Sequence, residues 1–193
     1  MTAGATVERV PRALGSFGDA TTFTADARGY LPGFGRNHVV AVRGAAGVSN
    51  GDAEVRRNFH LGGAQPNSSV VDTGRNAISL LRGFSIDSFA GSHVALVNAD
   101  YRWPIARPQR GVGTWPVMLH TVHAALFADA GHAWTNSFLF SAMKTSLGAE
   151  LSADLVVGYS FRLTATLGAA WGHDGSDTLR DRATVYARIG HAF

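Results

Sequence analysis

The 193-residue chain contains no cysteine, and charged side chains make up only 16% of its residues. Without cysteine, neither a disulfide framework nor a thiolate metal site can form. The charged fraction lies below the roughly 25% that is usual for soluble domains, so something other than water is expected to cover part of the surface. The chain also lacks a run of about 18 consecutive apolar residues, which excludes a transmembrane helix.

The basic residues do not form a nucleic-acid-binding pattern. The formal net charge is +3, but the lysines and arginines are scattered and no nucleic-acid motif accompanies them, so we expect no nucleic-acid partner. Residues 1–18 lack the apolar core of a secretion signal. An export signal would therefore have been removed or would lie on a longer parent chain.

Apolar and polar residues alternate along most of the chain with a period of two, which is typical of strands with two different faces. In LFADAGHAW, residues 126–134, the mixed face carries Phe127, Asp129 and Gly131. Six further segments alternate in the same way: 21–31, 38–48, 91–105, 144–155, 160–171 and 183–193. An eighth strand is predicted around residues 7–17, where Pro11 interrupts the pattern. Strands of about 9–11 residues are long enough to span a bilayer when tilted.

Two kinds of all-β fold fit this alternation. A soluble barrel or sandwich turns its apolar face inwards, whereas a transmembrane barrel turns it outwards. The polar faces here are rich in glycine, serine and threonine rather than lysine and glutamate, and the apolar faces carry many alanines, which pack a core poorly. These features favour the transmembrane barrel, as do aromatic residues near strand ends, where interfacial girdles occur: Tyr101, Trp103, Trp134 and Trp171.

Three separated motifs, the first of which has two parts, carry a family resemblance. FHLGG at residues 59–63 precedes LLRGF at residues 80–84, LFADAGHAW follows, and YARIGHAF stands at residues 186–193. In this order and spacing they resemble the C-terminal half of the bacterial surface antigen family. That family comprises the BamA- and TamA-like outer-membrane barrels, which assemble or translocate other proteins. The resemblance extends from about Thr21 to Phe193.

The resemblance implies contact between a loop tip and the barrel wall. In the family, a long extracellular loop folds back into the lumen, and the arginine of its Arg-Gly-Phe tip meets an acidic strand residue. Here the loop spans about residues 50–88, the tip is Arg82, Gly83 and Phe84, and the facing wall is Phe127, Asp129 and Gly131.

Physical chemistry makes this pairing reasonable. An unpaired carboxylate in a narrow lumen costs several kcal/mol, and a guanidinium can satisfy it with two charge-assisted hydrogen bonds. Gly83 would permit a tight turn, and Gly131 would make room for the approaching loop. The alternative is that Arg82 and Asp129 are separately solvated.

The last strand resembles the family's C-terminal recognition signal, in which an apolar residue, a glycine and a final aromatic residue follow one another. Ile189, Gly190 and Phe193 match this pattern. Such a signal marks a barrel as a client of the assembly machinery and requires a strand edge that can pair with another chain. The alternative is an ordinary amphipathic strand.

No residue pattern points to catalysis, a cofactor or a metal. A Gly-x-Ser-x-Gly nucleophile motif and a glycine-rich phosphate loop are both absent from the sequence. His120 and His123 would point to opposite faces of one strand, which is unsuitable for joint ligation. Glu150 and Asp154 share a strand face, and lining of a lumen explains them as well as catalysis does. An outer-membrane hydrolase is the enzymatic alternative.

The sequence therefore predicts one all-β domain over residues 1–193, an antiparallel transmembrane β-barrel in the bacterial outer membrane. Its seven or eight strands would form the C-terminal half of a larger, sixteen-stranded barrel of the resembled family. The family's periplasmic POTRA domains and first strands are not part of this sequence. The competing hypothesis is a small self-contained barrel, closed by its first and last strands, with a structural, adhesive or narrow-pore role.

The function implied by the resemblance is non-enzymatic. An incompletely paired seam would template the insertion or passage of other outer-membrane or secreted proteins. The expected partners are outer-membrane lipids including lipopolysaccharide, client outer-membrane protein strands and the outer-membrane assembly machinery, with no cofactor and no metal.

Overall fold

The computed structural model describes residues 1–64, 77–78, 80–111, 113–158, 160–177 and 181–191. Its strands are β1 (Thr2–Val10), β2 (Ala20–Pro32), β3 (Val39–Gly51), β4 (Phe59–Leu61), β5 (Ala77–Ile78), β6 (Phe89–Gly91), β7 (His93–Ala106), β8 (Arg110–Gly111), β9 (Val117–Trp134), β10 (Lys144–Val157), β11 (Phe161–Asp174) and β12 (Arg182–His191). Short 3-10 turns lie at Arg12–Leu14 and Phe140–Ala142. No helix in the described ranges is long and apolar enough to cross a membrane.

Nine of the strands form one antiparallel sheet. Eight follow each other in the order β1-β2-β3-β7-β9-β10-β11-β12, and the short β8 pairs with β9 beside this path. The predicted all-β, antiparallel fold is thereby confirmed. Within the described residues, β1 and β12 each pair with only one neighbour, so the sheet has two edges and closure into a barrel is not seen.

The seven alternating segments correspond to β2, β3, β7, β9, β10, β11 and β12. Gly158, whose φ of 58° favours glycine, forms a turn directly after β10. The prediction of an eighth strand around residues 7–17 was wrong in position, because β1 ends at Val10 and a 3-10 turn follows. Pro11 has no backbone N–H to donate to a strand ladder, which explains where β1 stops.

The apolar face of the sheet is exposed, and its mixed face is buried along the central strands. Leu147, Leu167 and Ile189 belong to the apolar face and are 65%, 62% and 77% exposed. On the opposite face of β10, Glu150 and Ser152 are buried. This is the reverse of the arrangement that a soluble barrel or sandwich requires.

The chain between β3 and β7 lies on the mixed face where the structure describes it, at residues 52–64, 77–78 and 80–92, here called the inward segment. Within it, β4, β5 and β6 form a separate three-stranded sheet. The sequence predicts a long loop at about residues 50–88 and no strands in it. A small apolar core joins the segment to β3 and β7: Phe59, Leu61, Leu81 and Phe84 pack with Ala45, Val94 and Leu96. This core fixes the segment against β3 and β7 and positions the residues that follow Leu81.

Candidate functional site

Arg82 lies where the inward segment meets the middle of the sheet, and it is only 1% exposed. Its Nε and Nη2 donate to the two carboxylate oxygens of Asp129 at 2.9 and 2.6 Å, and its backbone N–H donates to the same group at 3.1 Å. Nη2 also donates to Asp100 at 2.6 Å, and Nη1 donates to Glu150 at 3.3 Å. One guanidinium therefore holds carboxylates from three neighbouring strands, β7, β9 and β10. We call Arg82 and these three carboxylates the Arg82 clamp.

Asp129 is fully satisfied by donors on both sides of its strand. Asn98 and Ser146 lie directly opposite it on β7 and β10. Asn98 Nδ2 donates to one carboxylate oxygen at 2.7 Å, and Ser146 Oγ donates to the other at 3.2 Å. Asn98 Nδ2 also donates to the Leu80 carbonyl oxygen at 2.6 Å, which connects β7 to the inward segment two residues before Arg82.

Phe127 forms a platform beneath Arg82. The guanidinium carbon lies 3.6 Å from the centroid of the Phe127 ring, within the range of a cation–π interaction. Gly148 is opposite Phe127 in the sheet register, and a Cβ added there would overlap the ring. The glycine on β10 therefore leaves the space that the ring and, above it, Arg82 occupy.

Two further arginines complete the charges of the clamp. Arg102 donates to the second oxygen of Asp100 at 2.6 Å, and Arg188 donates to the second oxygen of Glu150 at 2.8 Å. Three arginines thus face three carboxylates, and every carboxylate oxygen accepts at least one hydrogen bond. A network satisfied in this way can hold a position, but it leaves no unengaged carboxylate to act as an acid or a base.

Arg82 keeps its charge in this buried position. Burial by itself lowers the pKa of Arg82, but hydrogen bonds to Asp129 and Asp100 and the attraction of both carboxylates outweigh it. The pKa is therefore raised above its usual value. Arg82 is therefore a permanent cation in the clamp, and the surrounding carboxylates are its counter-charges.

Gly83 and Phe84 dock the segment on β11. Gly83 has a φ of 94°, which favours glycine, and a Cβ there would lie 3.0 Å from the Gly172 nitrogen. A Cβ on Gly172 would in turn lie 2.8 Å from the Gly83 carbonyl oxygen. Phe84 is 3% exposed and packs edge-on against Phe89, with ring centroids 5.1 Å apart. The close approach thus needs a glycine on both sides.

Gly131 makes room for a residue of the predicted loop at about residues 50–88, at a position away from the Arg82 tip. A Cβ on Gly131 would lie 3.0 Å from Leu61 Cδ2 and 3.2 Å from Leu96 Cδ1. The group that approaches Gly131 from the inward segment is therefore Leu61 of β4, and the Arg82 tip is not among its three nearest neighbours. The space beside Gly131 is needed by the apolar core, because a larger residue would displace these two leucines.

The proposed C-terminal signal lies apart from this contact. Ile189 is on the exposed face of β12 opposite Ala165, and Gly190 is opposite Thr164. Phe193 lies outside the described residues. In the described chain β12 pairs with β11 alone, so its other edge is the position at which a further strand would add.

Sequence reasoning found Arg82 and Asp129 but missed the other members of the site. The sequence did not single out Asp100, and it placed Glu150 on a strand face without connecting it to Arg82. The signal that could have found them is register, because Asp100 is opposite Phe127 and Glu150 is one inward position beyond Gly148. No family model and no curated protein matches the chain, so the site is defined by its geometry.

Replacing Asp129 with asparagine should lower the free energy of unfolding by about 3 kcal/mol, because it leaves a buried guanidinium with one carboxylate fewer. Chemical unfolding of the folded protein, followed by tryptophan fluorescence, measures this change. Asp154→Asn is the matched control, since Asp154 lies on the mixed face of β10 with its side chain 31% exposed. It should lose less than about 1 kcal/mol. Equal losses in both variants would show that Asp129 has no special role.

Proposed function

We propose that this chain is the C-terminal half of a larger outer-membrane β-barrel that templates the insertion or passage of other proteins. The observation that supports this most directly is the Arg82 clamp, buried on the polar side of a sheet whose apolar side is exposed. In the bacterial surface antigen family that the sequence resembles, an Arg-Gly-Phe loop tip meets an acidic wall residue inside the lumen. The Arg82 and Asp129 contact has the same residue types in the same relation.

The exposed apolar face supports a location in a membrane. Large apolar side chains are exposed on strands across the whole sheet: Val7, Phe23, Val42, Val97, Leu126, Leu151, Leu167 and Val185. A contiguous apolar surface of this extent is unusual on a soluble monomer. The shortest strand of the eight, β1, has nine residues, which matches the length of about 9–11 residues that a tilted strand needs to span the hydrocarbon layer. Lipid is the partner that fits this face.

The two sheet edges support a template mechanism. Inside a membrane every backbone N–H and C=O must find a partner, so the open edges of β1 and β12 need partner strands, which we propose come from the rest of a larger barrel. Strands of the remaining barrel would satisfy this requirement at one edge or at both. A seam that pairs incompletely would admit the backbone of a client strand and extend the sheet by hydrogen bonding. The clamp would hold the wall rigid while the seam exchanges partners.

A liposome experiment tests this function. The full chain, and the chain co-folded with the upstream half of its barrel, are placed in liposomes, and an unfolded eight-stranded outer-membrane barrel is added as the client. We expect the client to fold faster with the restored barrel than in empty liposomes, and Arg82→Ala to abolish the gain. Unchanged client folding in liposomes that contain a folded, restored barrel would contradict the proposal.

The small self-contained barrel remains a second candidate because β1 and β12 are both amphipathic and of similar length, with nine and ten residues. It predicts that the chain alone gives a compact monomer with heat-sensitive gel mobility, and that this monomer lets small solutes leak from liposomes. The assembly proposal predicts that the chain alone folds in detergent as an open sheet, and that heat-sensitive gel mobility appears only when the upstream half is added. The same refolding series therefore separates the two candidates.

A further inference from the structure

Glu150 connects the Arg82 clamp to β12, a strand at the edge of the sheet. Its side chain is 6% exposed, and its carboxylate accepts three side-chain hydrogen bonds. Arg82 donates from the inward segment at 3.3 Å, whereas Tyr186 and Arg188 donate from β12 at 2.7 and 2.8 Å. One carboxylate on β10 therefore binds both the inward segment and a strand two positions away.

Tyr186 reaches Glu150 across the intervening strand. Glu150, Gly168 and Tyr186 lie in one row across β10, β11 and β12. A Cβ added to Gly168 would overlap the tyrosine ring and lie 2.6 Å from its hydroxyl oxygen. The ring therefore covers Gly168, and only a glycine at that position lets the hydroxyl pass over β11 to the carboxylate. Packing of an aromatic residue over a cross-strand glycine is a known way to fix strand register.

Two other residues of β12 bind the inward segment directly. Thr184 Oγ1 donates to the Gly83 carbonyl oxygen at 3.1 Å, and Arg188 Nη1 donates to the Ala64 carbonyl oxygen at 2.9 Å. Thr184, Tyr186 and Arg188 alternate along the strand, so all three lie on its inner face. The contacts of that face are therefore independent of the backbone ladder that joins β12 to β11.

We propose that Glu150 is a positioning residue that ties the inner face of β12 to the Arg82 clamp, so that this edge strand stays on β11 while its free edge gains or loses a partner strand. The proposal rests on the proposed function, because it assigns the control of the seam to one carboxylate. An edge strand held only by one ladder would peel away when its other partner leaves. The side-chain hydrogen bonds on the inner face of β12 do not depend on that ladder, so they remain in place during the exchange.

Hydrogen exchange of the full chain folded in detergent micelles tests the tether. In Glu150→Gln we expect the β12 amides that bind β11 to exchange about tenfold faster, because a charged acceptor shared by three donors is lost. Amides of the β2 and β3 hairpin should keep their wild-type rates. Ser152→Ala is the matched control: Ser152 is buried on the same face, but its hydroxyl contacts Thr166 on β11 at 2.8 Å, so β12 should exchange as in wild type.

Tyr186→Phe provides a second variant that keeps the ring over Gly168 and removes only the hydroxyl. It should accelerate exchange in β12 by a smaller factor and in the same amides, and it decides the question if Glu150→Gln does not fold. The tether is overturned if β12 exchanges at wild-type rates in the folded variants. It is also overturned if β2 and β3 accelerate as much as β12, since that result describes a general loss of stability.

The two proposals fail separately. Hydrogen exchange needs no client protein, and the liposome assay needs no variant of Glu150. Unchanged exchange together with faster client folding would remove the tether and leave the assembly function standing. Faster exchange in β12 without any effect of the barrel on client folding would keep the tether as a contact but overturn its role at a seam.

Discussion

Arg82→Ala should lower the free energy of unfolding by about 3–5 kcal/mol, because it removes the cation that three buried carboxylates share. Asp100, Asp129 and Glu150 would then face one another across a water-poor space with no guanidinium between them. The Phe127 ring would also lose the group that covers it. Chemical unfolding in detergent, followed by tryptophan fluorescence, measures the loss, and far-ultraviolet circular dichroism reports whether the β-structure survives.

Two other arginine variants serve as controls for Arg82→Ala. Arg82→Lys keeps one positive charge but lacks the planar fork that binds Asp129 through two atoms, so its stability should fall between those of wild type and Arg82→Ala. Arg28→Ala removes an arginine that pairs with Asp26 on the sheet, where both side chains are partly exposed. It should cost less than about 1 kcal/mol. An Arg82→Ala loss no larger than the Arg28→Ala loss would refute the clamp.

Gly172→Ala should displace the inward segment from β11 and lower the free energy of unfolding by about 2 kcal/mol. The added Cβ would lie 2.8 Å from the Gly83 carbonyl oxygen and 3.0 Å from the Phe84 ring. Neither group can move without disturbing the adjoining Arg82. We therefore expect trypsin to cleave the folded variant faster than wild type after Arg56 and Arg57, which belong to the same segment.

Gly44→Ala is the control for this substitution. Gly44 is also a strand glycine, on β3, but a Cβ there would have no neighbour within 4 Å. Because alanine loses less conformational freedom than glycine on folding, this variant should be as stable as wild type or slightly more stable. If both alanines left trypsin cleavage unchanged, the close approach at Gly172 would have no role in docking the segment.

The burial of so many charges suggests why the clamp is ionic. Well-packed apolar residues of similar volume often stabilise a fold as much as a buried ion network does. An apolar contact is not directional, whereas a guanidinium bound by Asp129 through two atoms has one favourable position and orientation. We infer that the clamp determines the position of the inward segment on β7, β9 and β10.

Much of the sheet could be predicted from sequence because alternation is a local signal. Segments such as 160–171 carry several apolar and polar positions in strict order, and the turn at Gly158 marks their boundary. β4, β5 and β6 have two or three residues each, which is too short for any period to be visible. Their existence depends on the apolar core beneath them and not on local preference.

The site was predictable only where a motif named its residues. Arg82 and Asp129 were paired through the resemblance, but Asp100 and Glu150 join them through register across neighbouring strands, which alternation does not define. The contact of Tyr186 with Glu150 requires the alignment of three strands and a glycine in the middle one. Such contacts arise from the assembled sheet, so no short stretch of sequence contains them.

The location of the apolar face in lipid is the claim on which the proposed function depends, and single-cysteine labelling tests it most directly. The chain has no cysteine of its own, so each engineered thiol can carry the only fluorophore. Leu151→Cys and Leu167→Cys place it on the apolar face, and Asp154→Cys and Thr164→Cys place it on the mixed face of the same two strands. In liposomes with brominated acyl chains, the account predicts strong quenching at the first pair and little at the second. Equal quenching at all four positions, or stronger quenching on the mixed face, would contradict it.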